Sequence, residues 1–422
     1  MVRVSVVPFG SPLRDKAGMQ ERVSRYIEEL RAIAGYDFSV APPEARPEGE
    51  TYGEGQGGVG IDITLILALS GGIEAPVLEF LARSDEPALI LAHPADNAVA
   101  AALEILAFLA AEGRKGRIVQ AVADWRHDLE EQLALFAARV AMKRARLGVV
   151  GTRDVEVMDP WRLAQQVRRV WGPRLVYMDL EELVHEAQDA DESAALDAAE
   201  EFTKSAKRVA GADRATLLGA AKIYVGLDAL VRKHRLDAVT VKCFDLLPLL
   251  KNTGCYALAR LNEDGIPAAC EADVLSALGM LLLRELTGEP SFMANPTVIY
   301  PREARVVLAH CTMPRTMATS YTIRSHFESG IGAAIHGDLP CGPVTVARIG
   351  GRQLAEVFAV GARLIECGSR DDMCRTQLTV EFRSRAVTDT ILTNPLGNHH
   401  LVVLGDWETR IRDFVSLFAA GM

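Results

Sequence analysis

Two carboxylates, Glu271 and Asp273, follow directly on a short apolar segment, residues 266–270, where they could do chemistry. The segment is too short for a helix and predicts a buried strand, and the apolar run that begins at Val274 predicts a buried helix that ends at Thr287. Charges at an apolar boundary need a partner, and a metal ion or a substrate is one common partner. A helix N-terminus, which favours acids, is the alternative, and this stretch alone does not decide between the two.

Further carboxylates and imidazoles follow predicted strands in the C-terminal half of the chain. They are Asp245, His310, His326, Glu328, His399 and His400. A single histidine at a strand end is more often structural than a ligand, but several such ends together indicate a shared task. Oxygen-rich sites with one or two imidazoles suit Mn²⁺ or Mg²⁺ better than Zn²⁺, because their ligands are hard. A Ser-His-Asp hydrolase is the competing chemistry, but the sequence has no Gly-x-Ser-x-Gly elbow.

Composition excludes several classes of function. A formal net charge of -10 argues against nucleic-acid binding, which needs clustered lysine and arginine. None of the seven cysteines forms a C-x-x-C pair, so a zinc knuckle is not expected, and their odd number fits reduced thiols. The first residues resemble a strand rather than a signal peptide, and the apolar runs are too short to span a bilayer. We therefore expect a soluble, cytoplasmic protein.

The 422 residues are too many for one small core, so two or three domains are expected. Strands alternate with helices up to about residue 285, which predicts two Rossmann-like α/β domains with parallel sheets, 1–146 and 147–285. The glycine-rich stretch 42–60 predicts an exposed loop. From residue 286 to 422, short strands separated by glycine and proline predict a β-rich, antiparallel, barrel-like domain, without a long helix before residue 407.

Four stretches of the sequence share a characteristic order, namely residues 265–273, 286–292, 309–311 and 397–400. In this order they resemble the L-fucose isomerase and L-arabinose isomerase superfamily, most closely its short fucose-isomerase-like members. The resemblance implies two Rossmann-like domains and a β-rich C-terminal domain. It also implies interconversion of aldoses and ketoses with Mn²⁺, or with Mg²⁺ or Co²⁺ in its place. Homotrimers or homohexamers with the active site near subunit contacts are implied as well.

The same resemblance implies roles for particular residues. Glu271 is expected to bind the metal and to move the proton, and the histidines of the superfamily fall on His310 and on His399 or His400. Fucose isomerases carry an aspartate where this chain has Asn295, whose neutral amide can coordinate through oxygen but cannot take a proton. Another acid would have to replace it, namely Asp273, Asp245 or Glu328. We predict catalytic roles for Glu271, Asp273 and Asn295, substrate contacts for His310, Asp245 and Glu328, and metal ligation by Glu271, Asn295, His399 and His400.

The predicted function is a metal-dependent aldose–ketose isomerase that acts on an unphosphorylated sugar through an enediolate. The sugar is expected to be unphosphorylated because no basic pocket signature is evident in the sequence. Two alternatives stay open. One is a different enediolate reaction, such as epimerisation or an aldolase-like cleavage, which the replacement of the aspartate by Asn295 motivates. The other is a non-catalytic sugar-binding protein on an inherited isomerase fold.

Overall fold

A computed structural model describes residues 1–13, 15–41, 61–152 and 158–419. The predicted loop 42–60 lies outside the described residues. The chain divides into two compact units, Met1–Val140 and a second that begins at Ala141. The finer division into 1–146, 147–285 and 286–422 stays a prediction. In the described ranges, no helix is long and apolar enough to cross a membrane.

The first unit is built on a five-stranded parallel sheet with the strand order β2-β1-β3-β4-β5. Its strands are short runs of valine, isoleucine and leucine, which favour buried parallel strands, and helices follow them as the sequence predicts. The elements are β1 (Val2–Phe9), α1 (Lys16–Leu30), β2 (Tyr36–Val40), β3 (Ile63–Ala68), α2 (Glu74–Leu81), β4 (Ala88–Ala92), α3 (Ala98–Ala111), β5 (Gly116–Gln120) and α4 (Trp125–Arg144).

The second unit begins with a four-stranded parallel sheet of order β10-β9-β6-β7. Its elements are β6 (Arg146–Val150), α5 (Pro160–Val170), β7 (Arg174–Met178), α6 (Leu180–Gln188), α7 (Glu192–Lys204), β8 (Arg208–Val209), α8 (Arg214–His234), β9 (Ala238–Val241), α9 (Leu246–Leu250), α10 (Cys255–Glu263), β10 (Ala268–Ala269) and α11 (Val274–Thr287). The two parallel sheets confirm the predicted Rossmann-like architecture.

The remaining strands form a closed antiparallel barrel of order β11-β12-β17-β16-β15-β18 and a small sheet of order β14-β13-β8. Closure leaves no unpaired edge, and valine and leucine side chains fill the core. The predicted β-rich, antiparallel barrel is thus confirmed. Its elements are β11 (Phe292–Tyr300), β12 (Arg305–His310), β13 (Ser320–Arg324), β14 (Ala334–Asp338), β15 (Gly342–Gly350), β16 (Glu356–Gly368), β17 (Thr376–Phe382), α12 (Arg385–Thr393), β18 (His400–Leu404) and α13 (Glu408–Phe418).

Strand register brings the C-terminal polar residues to one end of the barrel. On β11, Ala294 pairs with His400 of β18, and Asn295 pairs with Ala309 of β12. Helix α11 lies close against β18, because a Cβ at Gly279 would come within 2.6 Å of the Leu401 side chain. The turn before α11 therefore lies beside the ends of these three barrel strands.

Candidate active site

The turn between β10 and α11 has an unusual backbone. Glu271 and Ala272 both adopt left-handed conformations, with φ angles of 60° and 51°. For residues other than glycine this costs about 1–2 kcal/mol each, and such strain clusters at functional sites. The turn is anchored to β9, since the Ala272 N–H donates to the Val241 carbonyl at 2.9 Å.

Glu271 forms a group with His310 and His399. Its Oε1 lies 3.6 Å from His310 Nε2, and its Oε2 lies 3.4 Å from His399 Nε2. The three donor atoms all lie within 4.8 Å of one another, and both histidines are buried. Ligand atoms about 2.0–2.2 Å from one ion would be separated by roughly 3–4 Å. The group could therefore hold a single metal ion.

The donor set contains two nitrogens and one oxygen, so it is less rich in oxygen than the sequence predicts. Such a set fits a divalent transition-metal ion with open coordination positions better than Mg²⁺, which prefers oxygen ligands. Burial opposes ionisation of Glu271, but the two neighbouring histidines outweigh burial and hold its pKa well below the usual range. Burial lowers the pKa of His310, which favours the neutral imidazole that a metal needs.

Asp273 lies on the other side of His399 and is 1% exposed. It caps helix α11, accepting from Ser276 N and from Ser276 Oγ, each at 2.9 Å. Its Oδ2 also accepts from His399 Nδ1 at 2.8 Å and from Arg348 Nη1 at 3.0 Å. Of the two explanations for the acidic pair, the helix N-terminus applies to Asp273, whereas Glu271 belongs to the metal-capable group. Asp273 therefore positions the His399 ring. When Nδ1–H of the neutral imidazole donates to Asp273, the lone pair of Nε2 is free on the side of Glu271.

Arg348 extends this network and was not among the residues predicted from the sequence. The guanidinium is buried and also donates to Ser276 Oγ at 2.7 Å. Gly397 leaves it room, since a Cβ there would come within 2.6–2.8 Å of three guanidinium atoms. The signal in the sequence was an arginine inside the apolar strand β15, because a buried charge needs a partner.

A pocket that is open to solvent adjoins the metal-capable group. Glu271 and His310 line it together with Asn295, His326 and Glu328, and five further lining residues are cysteines without disulfides. The described lining includes neither lysine nor arginine. A neutral ligand rich in hydroxyl groups suits this wall better than a phosphorylated one.

The other predicted site residues lie in different places. Asn295 lines the pocket, and its Oδ1 accepts from Asn398 Nδ2 at 3.1 Å. His400 lies outside the metal-capable group, with its ring edge-on to Phe358 at 5.6 Å, and burial lowers its pKa to about 4. Asp245 pairs with Lys242 at 3.0 Å and is not among the residues that line the pocket.

Comparison with known proteins gives relatives at low identity. No protein-family model matches the chain. Over 261 residues it is 24% identical to a sulfoquinovose isomerase from Clostridium sp. (strain MSTE9), a match that covers 58% of this chain and 56% of that protein. Proteins of the same name from Priestia aryabhattai and Alkalicoccus urumqiensis are 26% and 21% identical, over 52% and 66% of this chain and 51% and 64% of their own lengths. The matched region thus spans about half to two thirds of these relatives, which makes the chain similar, at low identity, to sugar isomerases.

Proposed function

We propose that this protein is a metal-dependent aldose–ketose isomerase that acts on an unphosphorylated sugar through an enediolate. The observation that carries the proposal is the Glu271, His310 and His399 group, of which Glu271 and His310 line a pocket. The likeness to proteins named sulfoquinovose isomerase supports the reaction class. We further propose Mn²⁺ as the ion, with Asn295 supplying an additional oxygen ligand.

The reaction needs two things from the protein: residues that hold a metal ion and a group that moves a proton. When bound, a divalent ion polarises the carbonyl of the sugar and stabilises the enediolate. Glu271, His310 and His399 hold that ion, and Asp273 fixes the ring of His399. A group of suitable pKa must carry the proton between C1 and C2. Glu271 and Glu328 are the carboxylates among the described lining residues, and we propose that Glu328 takes the part that the neutral Asn295 cannot.

The choice of sugar follows from the charges around the pocket. The described lining offers no lysine or arginine to pair with a phosphate or a sulfonate. An unphosphorylated sugar is therefore proposed. Sulfoquinovose belongs in the substrate panel because the relatives carry its name.

Hydrogen exchange tests the proposed reaction. Purified protein is stripped with EDTA, reloaded with Mn²⁺ and incubated in D₂O with sulfoquinovose, D-glucose, L-fucose or L-arabinose. We expect NMR to detect deuterium at C1 or C2 of at least one sugar and its ketose product, and to detect none before reloading. Glu328→Gln should slow the exchange at least tenfold without weakening Mn²⁺ binding. Wild-type protein that incorporates no deuterium into any of these sugars would contradict the proposal.

Metal affinity is a separate test of the site. His310→Ala and His399→Ala each remove one donor, so calorimetric Mn²⁺ titration should show at least tenfold weaker binding. His336→Ala is the matched control, because His336 bonds the Arg375 carbonyl at 2.7 Å and does not line the pocket. Equal affinities in all three variants would remove the metal from the proposal.

A second candidate function is another enediolate reaction, either an epimerisation or an aldolase-like cleavage. The observation that favours it is Asn295, which lines the pocket where the superfamily has an acid. NMR of the products separates these outcomes, since an epimer, a ketose and two shorter fragments give different spectra. The homotrimer or homohexamer that the resemblance implies stays a prediction, which sedimentation velocity would test.

A further inference from the structure

His326 lies in a tight turn that follows strand β13. Its backbone N–H donates to the Ile331 carbonyl, and the Gly330 N–H donates to the His326 carbonyl, both at 3.0 Å. The side chain is 8% exposed and lines the pocket, and Phe244 packs edge-on to the ring at 5.7 Å. The turn and Phe244 therefore hold this imidazole in one orientation at the pocket wall.

The hydrogen bonds of the ring favour one tautomer. The Ser329 backbone N–H donates to His326 Nδ1 at 3.4 Å, and Ser329 Oγ lies 3.1 Å from the same nitrogen. A ring nitrogen that accepts from a backbone N–H carries no proton, so the proton of the neutral ring is on Nε2. Burial lowers the pKa of His326 to about 4, which keeps the ring neutral near pH 7.

His326 Nε2 has no hydrogen-bond partner in the part of the chain that the structure describes. The protein does not fully enclose this nitrogen, so Nε2 remains reachable from the pocket that the ring lines. The side chain is more than nine-tenths buried, and its Nε2–H donor faces a pocket. Such a donor is suited to a ligand oxygen.

We propose that His326 contacts the substrate directly, with its Nε2–H donating a hydrogen bond to a hydroxyl or carbonyl oxygen of the sugar. This inference rests on the proposed function for the identity of the ligand as a sugar. A neutral imidazole is a suitable donor for a neutral oxygen, because it binds without bringing a second positive charge to the metal-capable group. A sugar that lacks this oxygen should bind more weakly, since the buried N–H would then stay unpaired.

Two substitutions separate contact with the substrate from a role in closing the turn. His326→Phe keeps a ring against Phe244 but removes the donor. His326→Gln keeps an N–H near the position of Nε2. His336→Phe and His336→Gln, at a histidine that does not line the pocket, are the matched controls.

The experiment measures KM and kcat for the sugar that exchanges deuterium, together with Mn²⁺ affinity and long-range ¹H–¹⁵N spectra of the histidines. We expect an Nε2–H tautomer for His326 in the wild-type spectrum, which needs no variant. KM should rise about 3- to 10-fold in His326→Phe and recover in His326→Gln. Mn²⁺ affinity should stay unchanged in both, unlike in the His310 and His399 variants.

An Nδ1–H tautomer would overturn the inference, and so would a KM in His326→Phe equal to that of its His336 control. If the wild-type protein exchanges no sugar, the proposed function fails, and calorimetry with each of the four sugars on Mn²⁺-loaded protein tests the contact with His326. Binding that weakens in His326→Phe then supports the contact. Equal binding, or none in the wild type, refutes it.

Discussion

Replacing Arg348 by methionine tests the network that holds His399 in position. The guanidinium is 4% exposed, and its Nη1 donates to Asp273 Oδ2 at 3.0 Å and to Ser276 Oγ at 2.7 Å. Methionine fills a similar volume without charge. The buried carboxylate of Asp273 would then lose its guanidinium partner.

The size of the effect follows from the contacts that remain. Removing one partner of a buried ion pair costs about 3–5 kcal/mol, because the other charge stays buried. Asp273 would still accept from Ser276 N, Ser276 Oγ and His399 Nδ1, so we expect a loss near the lower end, about 3 kcal/mol. His399 would also be drawn towards its protonated form to balance Asp273. Metal binding should weaken about tenfold, since a protonated imidazole cannot ligate.

Urea unfolding in EDTA, followed by tryptophan fluorescence, measures the stability, and calorimetry measures the affinity for Mn²⁺. Arg363→Met, at an exposed arginine of β16, is the matched control and should change stability by less than about 0.5 kcal/mol. Arg348→Lys keeps a charge and should lie between the two. If Arg348→Met and Arg363→Met unfold at the same urea concentration, the reasoning is refuted, because Asp273 then does not depend on the guanidinium.

Three further changes test separate features of the second unit. Gly397→Ala should destabilise the protein by about 1–3 kcal/mol in thermal unfolding, because the new Cβ would collide with the Arg348 guanidinium, and this loss should shrink in an Arg348→Met background. Arg315→Met should cost about 3 kcal/mol in urea, since the buried carboxylate of Glu263 would lose its nearer cation, now 2.8 Å away at Arg315 Nε, and keep Arg260, whose Nη1 lies 3.5 Å away. Burial lowers the pKa of His326 from 6.5 to about 4 in the folded protein. Between these pH values the unfolded chain binds more protons than the folded chain. The protein therefore loses free energy of unfolding as the pH falls from 6.5 towards 4. His326→Phe should therefore lose less stability than the wild type between pH 6.5 and 4, by about 3 kcal/mol at most, in urea titrations at each pH.

Most strands and helices could be predicted from periodicity, but their ends depended on interactions that the sequence does not display. The strand predicted over 266–270 is only Ala268–Ala269, because Cys270 leads into the left-handed turn. Strand β11 begins at Phe292 and continues through Pro296, because a shift of register after Pro296 accommodates the proline. Helix α12 was missed, since it is short and buries only Thr388 and Ile391.

The sequence predicts which stretches contribute residues to the candidate site, but not which side chains meet there. The sequence marked both His399 and His400, yet adjacent residues at the start of a strand send their side chains to opposite faces. Only the register of β18 decides which one meets Glu271. The sequence likewise offered Asp245 and Glu328 on equal terms, whereas the pocket is lined by Glu328 and Asp245 pairs with a lysine.

Glu271 and Asp273 are two residues apart and chemically alike, and the backbone between them gives them different surroundings. A regular strand would send both side chains to the same face, since its period is two. The left-handed residues Glu271 and Ala272 break that period, so Asp273 turns back to cap α11 while Glu271 faces the pocket. The strain can persist because both sides of the turn are fixed, by the bond from Ala272 to Val241 and by the buried contacts of Asp273. Glu271 is therefore left facing the pocket, while Asp273 caps helix α11 and bonds the His399 ring.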